Sequence, residues 1–152
     1  MVHFEIVQRA EKFLKAMNCK IVIRDPFKAL TMSGEAPDAI GWKSGVSFLI
    51  EVKTSRSDFL ADKKKRFRIK PEQGMGDWRF YMCPPEIIKP DDLPEGWGLL
   101  WIERKTITVV KDVDRTMHRG IISEYRHEVH PRSDRGLLYS IARRRLGGLD
   151  GI

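Results

Sequence analysis

Residues 34–54 read GEAPDAIGWKSGVSFLIEVKT, and this stretch decides the fold. Its two apolar runs, 39–42 and 46–54, are separated by the turn residues 43–45, which are Lys, Ser and Gly. Two such runs joined by a short turn that contains glycine are the pattern of an antiparallel hairpin. We therefore expect this hairpin to lie at the centre of a β-sheet.

The second strand of this hairpin carries a mixed set of side chains. Successive residues of a strand point to opposite faces, so residues two apart share a face. One face is apolar and is predicted to be core, with Phe48, Ile50 and Val52. Glu51 and Lys53 share the other face, where a carboxylate beside an ammonium group needs a chemical reason.

The rest of the chain alternates helix-like and strand-like segments. Apolar residues at helical spacing predict a first helix over residues 2–18. Ser55 followed by Asp58 has the pattern of a capping box, which predicts a helix over residues 55–68, and the glycine-containing loop 71–77 is expected to be mobile. Further segments are predicted as strands at 20–23, 78–83, 98–103 and 106–111, and as a last helix at 133–146. This order predicts an α/β fold with a mixed central β-sheet flanked by helices.

The composition limits the class of protein. The chain has 152 residues, of which 41% are hydrophobic, and its formal net charge is +7. That size suits one domain, and the positive charge favours a polyanionic partner such as nucleic acid. No apolar run approaches the roughly 18 residues of a membrane helix and no secretory signal is recognisable, so we expect a cytoplasmic protein with no membrane partner. Cys19 and Cys83 lack disulfide or zinc-ligand spacing and are expected to be free, buried thiols.

Asp38 opens the first strand of the hairpin, and the turn is expected to bring it beside Glu51. Two converging carboxylates raise each other's pKa unless a cation lies between them. Oxygen ligands suit a hard ion such as Mg²⁺ or Mn²⁺, which binds one or two carboxylates and also takes phosphate oxygens. Lys53 beside the pair could orient a water molecule and offset negative charge on a phosphate. These residues therefore predict metal-assisted hydrolysis of a phosphodiester.

Pro37-Asp38 and Glu51-Val52-Lys53, with twelve residues between the two acids, resemble the motif of the PD-(D/E)XK nuclease superfamily. The order of helix, strand, hairpin and helix around them is also similar to the superfamily core, which implies a restriction-endonuclease-like fold. The resemblance implies that Asp38 and Glu51 bind Mg²⁺ or Mn²⁺, together with the backbone carbonyl of Val52. It also implies that Lys53 is the catalytic lysine.

A longer resemblance covers roughly residues 2–111. The runs EVKTSRSDFLADKK at 51–64, RFYMCP at 79–84 and LPEGWGLL at 93–100 are similar to a subgroup of bacterial and phage DNA-repair-type proteins. The resemblance implies a Mg²⁺-dependent deoxyribonuclease, an endonuclease in DNA repair, recombination or phage DNA processing. Because many members of the superfamily cut both strands as dimers, a homodimer is compatible with it. We expect a nuclease-like core at 1–111 and a C-terminal extension at 112–152, whose basic helix packs on the same domain.

Four other acidic residues have two interpretations each. Glu35 or Glu11 could add a metal ligand, or could simply be solvated. Asp58 and Asp62 could support the site, because both fall in the resembling run. Otherwise, Asp58 only caps the helix and Asp62 pairs with Arg66 one turn later.

The densest basic run follows the hairpin and is expected to contact DNA phosphates through Lys63, Lys64, Lys65, Arg66, Arg68 and Lys70. A second basic patch lies near the C-terminus at 143–145, and His127 and His130 are expected to be exposed. Alternative functions are a non-catalytic DNA-binding accessory protein with a nuclease-like fold and a structure-specific RNA nuclease. No zinc-finger or RNA-recognition signature chooses between DNA and RNA.

Overall fold

The computed structural model describes residues 1–27, 33–114 and 126–146, and the backbone of two short strands at 117–118 and 121–122. In chain order the helices and strands are α1 (His3–Ala16), β1 (Ile21–Arg24), β2 (Ala39–Lys43), β3 (Val46–Val52), α2 (Arg56–Asp62), α3 (Arg66–Ile69), β4 (Trp78–Cys83), β5 (Gly98–Ile102), β6 (Ile107–Lys111), β7 (Met117–His118), β8 (Ile121–Ile122) and α4 (Ser133–Leu146). Single 3₁₀ turns lie at Pro71–Gln73 and Pro90–Asp92.

The centre of the fold is a six-stranded mixed sheet in the order β1-β2-β3-β4-β5-β6. The β3–β4 and β4–β5 pairs are parallel, and the other three pairs are antiparallel. Strands β7 and β8 form a separate antiparallel pair. A mixed α/β fold with helices flanking a mixed central sheet, as predicted, is therefore confirmed. Across the described ranges, none of the helices has the length and apolarity needed to cross a membrane.

The β2–β3 hairpin is built on a turn one residue shorter than predicted. Lys43 pairs with Val46, so the loop consists of Ser44 and Gly45 alone. Both loop residues have positive φ, 51° and 79°, as the tightest hairpin turns require. The same register pairs Ala39 with Ile50 and so sets residue 38 opposite residue 51.

Both faces of the central strands β3 and β4 are buried, but the two faces differ in polarity. On one face α1 packs through Ile6, Ala10 and Leu14 against the predicted core side chains of β3. On the other face the apolar residues include Leu49 of β3 and Leu137 of α4. The second face also buries charged groups, which form the site described below. The last helix, predicted at 133–146, is present as α4 with the same bounds.

The predicted single helix over 55–68 is wrong, because the chain breaks between α2 and α3. Ser55 does cap α2, since its hydroxyl accepts the backbone N–H of Asp58 at 3.2 Å. At Lys65 the backbone is extended, with ψ of 145°, and the chain changes direction before α3. The loop predicted to be mobile is buried at residues 74–77.

Candidate active site

Asp38 and Glu51 lie side by side where the hairpin leaves the apolar core. Asp38 immediately precedes β2, and its Oδ2 accepts the backbone N–H of Val52 at 2.8 Å. Its Oδ1 lies 3.5 Å from Nε2 of His3. Burial raises the pKa of Asp38, and the neighbouring carboxyl of Asp25 adds to this shift. No pattern in the sequence points to Asp25, because this residue follows a different strand, β1.

Glu51 is only 5% exposed. Burial, followed by the negative charge of Asp38, raises the pKa of Glu51 to about 8. The pair therefore has the strained electrostatics of two carboxyl groups that converge away from water, as the sequence predicted. A cation bound between them would remove that strain.

Lys53 continues the polar face of the hairpin beyond the end of β3. Its Nζ lies 3.5 Å from Oε2 of Glu51 and 3.2 Å from Oδ1 of Asp62. Burial opposes the charged form, but the carboxylates of Glu51 and Asp62 outweigh it and raise the pKa of Lys53. The lysine is therefore an ammonium group at neutral pH, held in place from two sides.

Asp62 is the residue that fixes this lysine. Its carboxylate is buried and accepts hydrogen bonds from the Tyr81 hydroxyl at 2.6 Å and from Nε of Arg68 at 2.9 Å. Burial opposes ionisation, yet the charge of Arg68 and the hydrogen bond from Tyr81 lower the pKa of Asp62 to about 2. The interpretation of Asp62 as a partner of Arg66 is wrong, since its partner one turn later is Lys65 at 3.2 Å.

Arg68 belongs to the site and not to the basic surface on which the sequence placed it. Its guanidinium is buried and contacts Glu35 at 2.7 Å, Asp62 at 2.9 Å and Glu51 at 3.3 Å. The expectation that Arg68 contacts DNA phosphates is therefore corrected. Its Nη2, which faces Glu51, makes no hydrogen bond within the described part of the chain, so this contact holds Glu51 by charge alone. Arg68 points inward because the chain breaks before α3, and no local pattern of residues predicts this break.

The remaining acidic candidates have other partners. Glu35 is buried, with one oxygen on Arg68 and the other accepting the backbone N–H of Met75 at 2.7 Å. Glu11 is bound by Lys15 and Arg24, and the hydrogen bond from Lys15 is the main cause that lowers the pKa of Glu11. Asp58 is exposed at the start of α2, where it accepts the hydroxyl of Thr54 at 3.3 Å.

We call six residues the ion network, namely Glu35, Asp38, Glu51, Lys53, Asp62 and Arg68. In this network four carboxyl groups face two buried cations, and the exposed Lys65 adds a third positive charge 3.2 Å from Asp62, so the formal charge of the set remains negative. Within the described ranges no three His, Cys, Asp or Glu side chains form a ready-made metal site. Mg²⁺, however, needs only one or two carboxylates and keeps several waters. The Asp38–Glu51 pair, with the Val52 carbonyl at the same strand end, fits such an ion.

Most of the basic run is exposed, namely Lys63, Lys64, Lys65, Arg66 and Lys70. Nζ of Lys63 approaches the backbone oxygen of Asp92 at 3.4 Å, and Lys65 reaches the ion network through Asp62.

His127 and His130 are partly buried, contrary to expectation. Burial lowers the pKa of His127 to about 4, so that ring is neutral at physiological pH.

No protein-family model and no curated protein matches the sequence. A solved structure of a protein of unknown function from Silicibacter pomeroyi is similar to this chain, with a TM-score of 0.60. The match covers 99% of this chain and 93% of that chain, at 21% sequence identity. At that identity the likeness shows a shared fold and nothing about activity.

Proposed function

We propose that this chain is a divalent-metal-dependent DNA nuclease, with a PD-(D/E)XK site on a restriction-endonuclease-like fold. One observation carries the proposal. Asp38, Glu51 and Lys53 meet at the end of one hairpin, with the ammonium 3.5 Å from the second acid and the first acid bonded to the backbone between the other two. The order of α1, the hairpin, α2 and the parallel strand β4 supports the same assignment.

Asp38, Glu51 and the Val52 carbonyl would hold Mg²⁺ or Mn²⁺. When bound, the ion would supply positive charge that stabilises the negative charge developing on the phosphate. The excess of carboxyl groups in the ion network supports this assignment. Burial is the main cause that raises the pKa values of Asp38 and Glu51, and a divalent cation bound beside them would favour their charged forms.

The chain's own groups then divide the work of phosphodiester hydrolysis. In that reaction water attacks phosphorus and gives up a proton, the bond to the leaving oxygen breaks, and the leaving oxygen takes up a proton. Lys53 keeps its ammonium hydrogens close to Glu51, where they can orient the attacking water and bind a phosphate oxygen. Asp62 limits the freedom of this flexible side chain, and Arg68 balances the charge of the acids behind it.

The basic surface favours a nucleic-acid substrate, and the resemblance to DNA-repair-type proteins selects DNA. The net charge is +7, and the exposed basic run begins ten residues after Lys53. Cations arranged in this way bind phosphates without reading sequence, so they would hold DNA across the site. We place the activity in DNA repair, recombination or phage DNA processing.

The test is incubation of the purified chain with single-stranded, duplex, flapped and four-way-junction DNA, in Mg²⁺, Mn²⁺ or EDTA. We expect cleavage with either metal, none in EDTA, and none with Glu51→Gln. Glu103→Gln is the matched control, because Glu103 is an exposed glutamate outside the ion network. Binding without cleavage in every metal would instead indicate the accessory DNA-binding protein, and cleavage of RNA alone would contradict the assignment of substrate.

A further inference from the structure

A small cavity of about 170 Å³ lies near the ion network, and its described lining consists of Ser33, Arg66, Gln73 and His130. Each of these four side chains carries at least one hydrogen-bond donor. None of the described residues that line the cavity is acidic. The cavity is also several times larger than a single water molecule needs. Its chemistry is therefore that of a site for a small anion.

The donors of the cavity are available to a ligand. Nδ1 of His130 accepts the backbone N–H of Arg132 at 3.2 Å, so the neutral ring carries its hydrogen on Nε2. The Ser33 hydroxyl accepts the backbone N–H of Glu35 at 3.3 Å, which leaves its own hydrogen to donate. Arg66 is exposed at the start of α3 and brings a full positive charge.

The walls of the cavity are directly connected to the ion network. Ser33 is bonded to the backbone of Glu35, whose carboxylate is bound by Arg68. Arg66 follows Lys65, whose ammonium lies 3.2 Å from Asp62. Residues that line the cavity are therefore linked to the ion network through Glu35 and through the neighbour of Arg66, Lys65.

We propose that this cavity binds one phosphate group of the nucleic-acid strand that the site holds, an inference that rests on the proposed function. The forked guanidinium of Arg66, the Nε2–H of His130, the Gln73 amide and the Ser33 hydroxyl are donors that phosphate oxygens accept. The phosphate is either the terminal monoester of a strand end or one internal diester, since both present the same oxygens.

A larger cavity of about 350 Å³ provides the contrast. Its lining combines Arg126 and His127 with three glutamates, Glu72, Glu95 and Glu128. Carboxylates at this density repel a phosphate, and the ring of His127 is neutral. The smaller cavity is therefore the one suited to an anion.

The experiment measures binding to catalytically inactive Glu51→Gln protein by fluorescence anisotropy. The probes are short oligonucleotides labelled at the 3′ end that differ only in a 5′-phosphate or a 5′-hydroxyl. A second set carries one neutral methylphosphonate at each internal position in turn. The variants are Arg66→Ala and His130→Ala, of which the second leaves the formal charge unchanged. Lys64→Ala is the matched control, because Lys64 is an exposed cation of the same run that is not among the lining residues.

A 5′-phosphate that strengthens binding by about tenfold, with the gain lost in both cavity variants and kept in Lys64→Ala, supports the proposal and identifies the terminal group. A penalty at one internal methylphosphonate that both cavity variants abolish supports it and identifies an internal diester. The proposal is overturned when both cavity variants weaken all probes equally or not at all, with circular dichroism confirming that they fold.

Failure of the nuclease assignment gives a different result. In that case the wild-type chain cleaves nothing while the selective phosphate effect remains. Cleavage by the wild type without any selective phosphate effect removes the cavity proposal alone.

Discussion

Two polar groups are buried on the same face of β3, one at Ser47 and one at Glu51, and they are satisfied in different ways. We call Ser47, Asp77 and Asp134 the C-terminal anchor, because Asp134 belongs to α4. The Ser47 hydroxyl donates to Asp134 and accepts the backbone N–H of Asp77 at 3.0 Å, and its oxygen lies 3.2 Å from Oδ2 of Asp77. Oδ1 of Asp134 lies 3.4 Å from the backbone N of Gly76. Asp77 also accepts the backbone N–H of Ser47 at 2.8 Å and is paired with Arg126.

The difference separates a structural cluster from a chemical one. In the anchor, backbone N–H groups, a hydroxyl and one arginine meet two carboxyl groups, so the anchor holds residues 126–146 on the sheet without an added ion. In the ion network, Glu51 converges with Asp38, and its ion pairs with Lys53 at 3.5 Å and with Nη2 of Arg68 at 3.3 Å are contacts of charge. Burial raises the pKa of Asp134 in the anchor as well, so the difference lies in how the carboxyl groups are satisfied. The anchor carboxyl groups accept hydrogen bonds from their neighbours, whereas Glu51 is left to a ligand such as a cation.

Arg68→Ala tests the ion network at the one cation that contacts three of its carboxyl groups. The change leaves Glu35, Glu51 and Asp62 without their shared cation, which should lower the free energy of unfolding by about 3–5 kcal/mol. Urea denaturation followed by circular dichroism measures this loss. Arg66→Ala, an exposed arginine nearby, is the control and should change stability little. Equal stability of Arg68→Ala and the wild type would show that the guanidinium is dispensable.

Lys53→Ala separates the two regions by activity. We expect single-turnover cleavage to slow by about two orders of magnitude or more, because the variant loses the ammonium group that would bind the phosphate in the proposed reaction. Asp38→Asn should slow cleavage by a similar factor, because it removes one of the two carboxylates that would bind the metal. Asp134→Asn in the anchor should leave the rate constant at saturating DNA close to that of the wild type. A wild-type rate for Lys53→Ala would refute the catalytic assignment.

Asp134→Ala tests the anchor by stability. The Ser47 hydroxyl and the Gly76 N–H lose their carboxylate partner in a buried place, which should cost about 1–3 kcal/mol. Thermal unfolding in EDTA and in Mg²⁺ measures the loss, which should be the same in both because the anchor binds no ion. A loss that Mg²⁺ repairs would place a metal at the anchor and erase the distinction between the two regions.

Glu51→Gln tests whether the raised pKa of Glu51 makes the stability of the protein depend on pH. The pKa of Glu51 in the folded chain is about 8, above its ordinary value of 4.5. A raised pKa contributes stability that is fully present below pH 4.5 and is lost as the pH rises towards 8. Between these values the wild type in EDTA should lose up to about 1.4 kcal/mol per pH unit relative to the variant. Melting temperatures of both proteins across this range provide the check, and parallel curves would contradict the shift.

The sequence predicts the hairpin and its chemistry because both depend on local register. Alternation in β3 separates Val52 from Glu51 and Lys53, and a short turn is enough to place Asp38 next to Glu51. The position of Arg68 is not predictable in this way. Its helical spacing indicated one continuous surface helix, and the break at Lys65 that turns it inward is favoured by buried partners distant in sequence. The anchor cannot be predicted from local patterns either, because Ser47 and Asp134 are 87 residues apart.

The two-residue turn at Ser44 and Gly45 has a consequence for the spacing of the two acids. Residues that face each other across the hairpin have numbers with a constant sum, so lengthening both strands by one residue adds two residues between Asp38 and Glu51 and keeps them opposed. A single inserted residue instead shifts the register and sends one acid to the apolar face, unless a bulge absorbs it. With a two-residue loop and no bulge, the separation between the two acids can therefore change only in steps of two residues.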